Sequence, residues 1–304
     1  MQDRGFSYVL AITAFLVLIA LAGAALSMLW GGRTVLAQEG WGFFFSSDWN
    51  PVENHYGALV PIYGTLVTAI IAMIIAVPVS FGIALYLTEV APPWLRRPVG
   101  TAIELLAGIP SIIYGMWGLF VLVPMMTEHV TPWLNDHIGT LPIIGPLFQG
   151  PPLGIGMLTA GLVLSIMVIP FISAVMRDVF LTVPSRLKES AYALGSTRWE
   201  VVWDVVLPYT RSAVVGGVFL GLGRALGETM AVAYVIGNTV RFSVSLLEPG
   251  TTIAALIAND FAEATDTYRS ALLLLGFVLF IVTFVVLAAA RLMLMQMARR
   301  EGTT

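Results

Sequence analysis

Long apolar runs alternate with shorter polar segments along the whole chain. Six of the runs are long enough to cross a bilayer, which takes about 20 helical residues. They lie near 8–30, 59–88, 99–125, 153–176, 210–236 and 269–291. We therefore predict an all-α polytopic membrane protein with six transmembrane helices. It would comprise a first helix with its outer connector (1–58), a transmembrane domain (59–291) and a tail (292–304).

The composition agrees with a membrane protein and argues against several other functions. Of the 304 residues, 58% are hydrophobic and 11% are charged, whereas soluble domains carry about 25% charged residues. A net charge of −3 argues against binding nucleic acid, and the absence of Cys excludes thiolate metal sites. The only lysine, Lys188, follows no glycine, so a Walker A loop is absent. We expect the chain itself to bind no ATP, metal or other cofactor.

The distribution of basic residues predicts the orientation. With a cytoplasmic N-terminus, eleven Lys and Arg residues would lie inside and three outside. The inner residues would be Arg4, Arg96, Arg97, Arg177, Arg186, Lys188, Arg198, Arg211, Arg291, Arg299 and Arg300, and the outer residues Arg33, Arg241 and Arg269. Because cytoplasmic loops are enriched in Lys and Arg, we predict that both termini are cytoplasmic.

The fifth apolar run carries two charged residues, within the stretch GLGRALGETMAV at 221–232. On one continuous helix, Gly217, Gly221, Arg224 and Glu228 would share a narrow stripe. Ionisable residues inside a membrane usually face a bundle interior or a water-filled path, so Gly221, Arg224 and Glu228 are candidate path residues. Two alternatives remain open: a structural ion pair at i,i+4 spacing, and glycines that serve helix packing alone.

The third apolar run contains Glu104 and the break AGIPS at 107–111. A proline frees backbone groups and starts a new half-helix, whose N-terminal amides attract anions. Ser111 would add a hydroxyl at that start, although a simple proline kink is an equal alternative. We include Glu104, Ser111 and Thr229, which follows Glu228, among the candidate path residues.

The longest inner segment, 177–209, predicts two short helices. Ser185 offers a start for the first helix and Gly195 an end. The second is predicted over 197–206, because Pro208 is expected to stop it. The first helix has a narrow apolar stripe that suits a groove on a partner protein. The alternative is a connector that packs only against its own chain.

This segment resembles the EAA loop of permease subunits in binding-protein-dependent ABC importers. The loop pattern is EAA-x3-G-x9-I-x-LP, and serine replaces the second alanine here. The matching residues are Glu189, Ser190, Ala191, Gly195, Val205, Leu207 and Pro208. In that family the loop forms a coupling helix that seats on a separate ATPase. The resemblance thus implies an ABC type I importer permease fold with its coupling loop at 185–208, and ATP-Mg bound by the partner ATPase.

Four further blocks resemble the PstC family, the permease subunits of phosphate-specific ABC importers. They cover 49–80, 104–122, 221–238 and 252–264 and include GLGRALGETMAVAYVIGN and TIAALIANDFAEA. The resemblance implies a multi-pass protein of the bacterial inner membrane. Its implied partners are a PstA-like permease, two copies of an ATP-binding subunit and a periplasmic or lipid-anchored phosphate-binding protein. It also implies that Arg224 and Glu228 act in transport.

The residue chemistry leaves two hypotheses for Glu228 and two rival functions. Arg224 offers a planar, always-charged fork that matches an oxyanion. Glu228 would either accept a hydrogen bond from protonated phosphate, which sulfate cannot donate, or restrain Arg224 until a conformational change frees it. The rivals are a permease for molybdate, tungstate or sulfate, and a stand-alone secondary transporter, which leaves the EAA spacing unexplained. An enzyme fits least, because no nucleophile and base lie in register.

Overall fold

The computed structural model describes residues 2–300, and the side-chain surroundings of residues 6–296. Within that part, six helices are long and apolar enough to span a membrane, which confirms the predicted fold class. In chain order the elements are α1 (Gln2–Gly31), α2 (Arg33–Glu39), α3 (Gly42–Phe45), β1 (Trp49–Asn50), β2 (His55–Tyr56), α4 (Leu59–Val90), α5 (Pro93–Ala107), α6 (Ser111–His137), α7 (Met157–Leu181), α8 (Ser185–Ala193), α9 (Arg198–Leu226), α10 (Met230–Ala233), α11 (Ile253–Asp260) and α12 (Asp266–Arg300). The long helices are α1, α4, α6, α7, α9 and α12.

Helix α7 forms the centre of the bundle. In its most apolar stretch 61% of the residues are buried, against none in α1. Small residues let α4 approach closely: a Cβ at Gly161 would lie 2.5 Å from the Cγ2 atom of Ile71. The Ser80 hydroxyl also donates to the carbonyl of Ile169 at 3.1 Å, from α4 to α7. Small and hydroxyl side chains are the usual contacts between membrane helices.

A second apolar cluster joins the β1–β2 hairpin and α2 to α11 and α12. The ring of Tyr56 is buried and stacks on Tyr268 with centroids 5.8 Å apart. Burial raises the pKa of the Tyr56 hydroxyl above its ordinary value. The Ser270 hydroxyl donates to the carbonyl of Gly31 at 2.8 Å, which fastens the end of α1 to α12.

Three of the prolines within long helices follow shortly after a wide π-helical turn. The turns Gly118–Leu122, Met126–Val130 and Val202–Val206 precede Pro124, Pro132 and Pro208. A wider turn shifts the carbonyl with which the proline ring would otherwise clash. The prediction that a second loop helix ends before Pro208 is therefore wrong: α9 continues through Pro208 to Leu226.

Two predicted membrane spans need correction. The run at 99–125 is divided between α5, which ends at Ala107, and α6, which begins at Ser111 and continues to His137. The run at 210–236 also fails as one helix, because α9 ends at Leu226 and the chain turns at Gly227. The other four predicted spans overlap α1, α4, α7 and α12, with the fourth displaced toward its C-terminal end.

Candidate functional site

The break between α5 and α6 and the break after α9 lie against each other. At Gly115, on the first turns of α6, a Cβ would lie 3.0 Å from both the Cα of Ala231 and the carbonyl oxygen of Met230 in α10. The Tyr114 hydroxyl donates to the carbonyl of Leu106 at 3.0 Å, across the break between α5 and α6. We call this meeting of α6 and α10 the junction.

Arg224 lies beside the junction, in the last turn of α9. The C-terminal carbonyls of a helix stabilise a cation there. The guanidinium carbon is 5.4 Å from the ring centroid of Phe171 on α7. Tyr114 lies near enough for the charge of Arg224 to act on its hydroxyl. The Nε atom of Arg224 is buried and has no hydrogen-bond partner. Arg224 is thus a half-buried cation with an unmet donor.

Glu228 does not pair with Arg224, so the alternative of a structural ion pair at i,i+4 spacing is wrong. The helix has ended before it, and no oxygen of Glu228 is within ion-pair distance of a basic side chain among residues 6–296. Instead, its Oε1 accepts a hydrogen bond from the backbone N–H of Ala231 at 3.3 Å. The carboxylate therefore caps the N-terminus of α10, where a negative charge is favourable.

Two other predicted residues also lie at the junction. Ser111 is the first residue of α6 and is half-buried, and the same turn carries Tyr114. Thr229 immediately precedes α10, and its hydroxyl donates to the carbonyl of Gly227 at 3.3 Å. The structure therefore places Ser111, Arg224, Glu228 and Thr229 around one pair of helix breaks.

Glu104 and Gly221 do not belong to this group. Gly217, Gly221 and Arg224 all face α7, as the predicted stripe requires, and only Glu228 departs from it, because α9 ends before it. The Oε1 atom of Glu104 lies 2.5 Å from Nη2 of Arg177, on α7. A Cβ at Gly221 would lie 2.5 Å from the Cδ1 atom of Ile172, so this glycine is occupied by packing against α7. The contacts of Gly221 and of Gly217, which faces Val175, support the alternative of glycines that serve helix packing.

The junction is open on one side. Gly227 is exposed, Leu220 is 59% exposed and Met230 is 40% exposed. Arg224 and Glu228 are half-buried beside them. This chain therefore provides one wall of a site and leaves the opposite side to solvent, lipid or a second protein.

Sequence reasoning missed Phe171 and Tyr114 as neighbours of Arg224. Tyr114 shares the first turn of α6 with Ser111, so helical spacing from Ser111 would have found it. Phe171 lies on α7, and no spacing in the sequence connects that helix with the end of α9. Only the packing of the bundle brings them together.

The predicted loop helix is present as α8. It ends in a Schellman motif: the N–H of Ser196 donates to the carbonyl of Ala191 at 3.1 Å, and that of Gly195 to the carbonyl of Tyr192 at 3.0 Å. Gly195 has φ +91°, which favours glycine. A capping box of Thr197 and Glu200 then starts α9.

The side chains of α8 have different surroundings. Nζ of Lys188 lies 2.5 Å from Oε1 of the buried Glu89 at the end of α4. Ala191 packs against the core of the bundle. Leu187 is 44% exposed, and Leu194, which directly follows the helix, is 88% exposed. The loop thus packs on its own chain through Lys188 and Ala191 and leaves Leu187 and Leu194 open.

Comparison with known proteins identifies the family. Residues 77–298 match the model for the binding-protein-dependent transport system inner membrane component. The chain is 77% identical to the phosphate transport system permease protein PstC of Xylella fastidiosa strain 9a5c over 99% of this chain and 93% of the relative. It is 58% identical to the protein of that name from Pasteurella multocida, over 95% of this chain and 90% of the relative. The chain belongs to the PstC family. Members of this family are transport permeases and not enzymes.

The solved structures that resemble this PstC-family chain confirm the ABC importer permease fold. One is a bacterial alginate ABC transporter in complex with an alginate-bound periplasmic protein, with a TM-score of 0.63 at 18% identity, covering 100% of this chain and 98% of that chain. Another is the inward-facing methionine ABC transporter MetNI, with a TM-score of 0.57 at 17% identity, covering 78% of this chain and 94% of that chain. At such low identity the likeness concerns the fold alone.

Proposed function

We propose that this chain is the transmembrane permease subunit of an ATP-driven importer of inorganic phosphate. The observation that carries the proposal is Arg224, a half-buried guanidinium with an unpartnered Nε at the junction. A cation inside a membrane protein needs an anionic partner, which the described part of this chain does not supply as an ion pair. The names of the relatives support phosphate as that anion.

A second positive element accompanies Arg224. The N-terminal amides of α6 begin at Ser111, and a helix N-terminus attracts anions. The guanidinium is a planar fork that binds two oxygens of an oxyanion. Because the junction is open on one side, a PstA-like permease would complete the transport path there.

Glu228 would distinguish phosphate from sulfate. Its Oε1 is used to cap α10, but a carboxylate accepts several hydrogen bonds. Phosphate near neutral pH keeps one or two protons and can donate to it, whereas sulfate has none and would be repelled. The hypothesis that Glu228 restrains Arg224 directly has no contact to support it in this conformation.

The α8 loop would couple the chain to an ATPase. The matching positions Glu189 and Ser190 are exposed, as are Leu187 and Leu194. The Lys188–Glu89 ion pair connects α8 to the end of α4, so movement of α8 would be passed directly to a membrane-spanning helix. In this arrangement α8 and both termini are cytoplasmic. Two ATP-binding subunits would act from that side, and a phosphate-binding protein would deliver the anion from the other.

Uptake by the reconstituted complex tests the function. We expect vesicles with the binding protein outside and ATP inside to accumulate phosphate and to discriminate against sulfate and molybdate. Preferential uptake of molybdate or sulfate would establish the rival oxyanion permease. Uptake that persists without the ATPase would establish a stand-alone transporter. Either result would overturn the proposal.

A further inference from the structure

A second basic site lies at the α8 end of the bundle, away from the junction. A cavity of about 330 Å³ opens between α4, α5 and α7. Its polar lining consists of Thr88, Arg96, Arg97, Thr101, Glu104 and Arg177. None of the junction residues Ser111, Arg224, Glu228 and Thr229 lines this cavity, so it is distinct from the proposed transport site.

The cavity has an excess of positive charge. Three guanidinium groups line it, and the only carboxylate in its lining is that of Glu104. Arg177 is paired with Glu104 at 2.5 Å and also with Asp178, outside the lining, at 3.1 Å, so the excess rests on Arg96 and Arg97. Neither Arg96 nor Arg97 forms an ion pair with any residue in the range 6–296. Two arginines of α5 are therefore left to bind an anion from outside the chain.

Two of the arginines are held in position by the surrounding structure. The Nε of Arg96 donates to the carbonyl of Ala91 at 2.7 Å, which directs the guanidinium. The Nη1 of Arg177 lies directly over Gly100, so close that a Cβ added to this glycine would be only 2.2 Å from it. The Nε of Arg177 is buried and has no partner, so this guanidinium has an unmet donor. Arg96 and Arg177 are thus arranged before any ligand binds.

We propose that this cavity binds a phosphate group. Arginine forks match the oxygens of a phosphate monoester or diester. The group could belong to an anionic lipid headgroup or to inorganic phosphate. On the same helix as Arg96 and Arg97, Trp94 is 74% and Leu105 is 71% exposed, so α5 offers both an apolar surface and a basic cavity.

Binding measurements on the assembled complex test the site and separate the two sources. In one arm the complex is placed in nanodiscs of phosphatidylglycerol or of phosphatidylcholine, and bound lipid is counted by native mass spectrometry. In the other arm radioactive inorganic phosphate is titrated without ATP or binding protein. Both arms use an Arg224→Gln background, so that the proposed transport site does not contribute to the signal.

The variants are R96Q and R97Q together, and Arg97→Lys, with Arg291→Gln as the control. Arg291 is an exposed arginine on α12, outside the lining of the cavity. We expect the double variant to weaken binding of phosphatidylglycerol, inorganic phosphate or both by about tenfold or more. Arg97→Lys should keep most of the binding because it keeps the charge, and the control should bind as the background does.

A loss confined to the lipid arm assigns a headgroup site, and a loss confined to the other arm assigns a site for inorganic phosphate. Unchanged binding in both arms, or an equal loss in the Arg291→Gln control, would overturn the proposal. Normal assembly of the double variant, checked by size-exclusion chromatography, excludes misfolding as the cause of a loss. Because neither arm measures transport, failure of the proposed import function would leave this result interpretable.

Discussion

At the scale of single residues, the surroundings of Arg224 stabilise its positive charge but leave its Nε–H without a hydrogen-bond acceptor. The C-terminal end of α9 and the ring of Phe171 favour the cation, while its Nε has no partner. An anion that enters the junction would therefore gain a charge-assisted hydrogen bond without first breaking an ion pair. Glu228 is close in sequence but is directed to α10, so it leaves Arg224 available.

Replacing Glu228 separates its capping role from its effect on selectivity. Glu228→Gln keeps an oxygen that can accept from the N–H of Ala231, but it removes the charge that repels sulfate. We expect normal assembly and a preference for phosphate over sulfate reduced by about tenfold, measured as competition in the uptake assay. Glu228→Ala also loses the cap, and it should lower stability by about 1 kcal/mol. An unchanged preference in the Gln variant would limit Glu228 to capping.

Gly64 on α4 tests the packing of the irregular segment that follows α10. A Cβ at Gly64 would lie 1.9 Å from the carbonyl oxygen of the buried Thr251, whose backbone cannot move as a side chain can. Gly64→Ala should destabilise the chain by about 1–3 kcal/mol, seen as a lower Tm of the purified complex. Gly82→Ala on the same helix is the control, since nothing lies within 4 Å of its added Cβ. Equal Tm values for the two variants would contradict this packing.

At the scale of elements, interrupted helices determine where the chemistry lies. The break between α5 and α6 and the break after α9 expose helix ends within the bundle, and the two meet at the junction. Non-helical backbone at membrane depth is tolerated where protein or a cavity surrounds it. Pro124, Pro132 and Pro208 produce no such break, because wide turns before them accommodate the rings.

The Lys188–Glu89 ion pair is predicted to transmit movement from α8 to α4. Glu89→Lys alone would place two cations together near a buried position, and should lower ATP-dependent uptake strongly while transport-independent ATP hydrolysis continues. The charge-reversed double variant, Glu89→Lys with Lys188→Glu, restores the pair and should recover most of the uptake. A double variant no better than the single one would show that the attraction between these groups is not what couples the elements.

At the scale of the whole molecule, the number of membrane spans and the α8 loop helix were predictable from the sequence, and the junction was only partly predictable. Membrane helices must satisfy their backbone internally, so apolar length alone indicates how many there are. Helix ends depend on local geometry: Gly227 ends α9, whereas the wide turn before Pro208 lets it continue. Phe171 contacts Arg224 only because α7 packs against the end of α9, and no spacing in the sequence predicts that contact.

The proposed orientation can be tested because the natural chain has no Cys. Single cysteines would be placed at Val52 in the β1–β2 turn, which is 90% exposed, and at Leu194 after α8, which is 88% exposed. A membrane-impermeant maleimide should label Val52→Cys in intact cells, and Leu194→Cys only after the membrane is opened. The reverse pattern would place α8 outside, where no cytoplasmic ATPase could reach it.

The central claim is that Arg224 contacts the transported phosphate, and uptake by Arg224→Gln tests it most directly. Glutamine is similar in size but lacks the charge and the fork, so the complex should assemble normally. ATP-dependent phosphate uptake in vesicles should fall by about tenfold to a hundredfold, with Arg224→Lys in between. An Arg224→Gln complex that assembles and takes up phosphate at the wild-type rate would contradict the account.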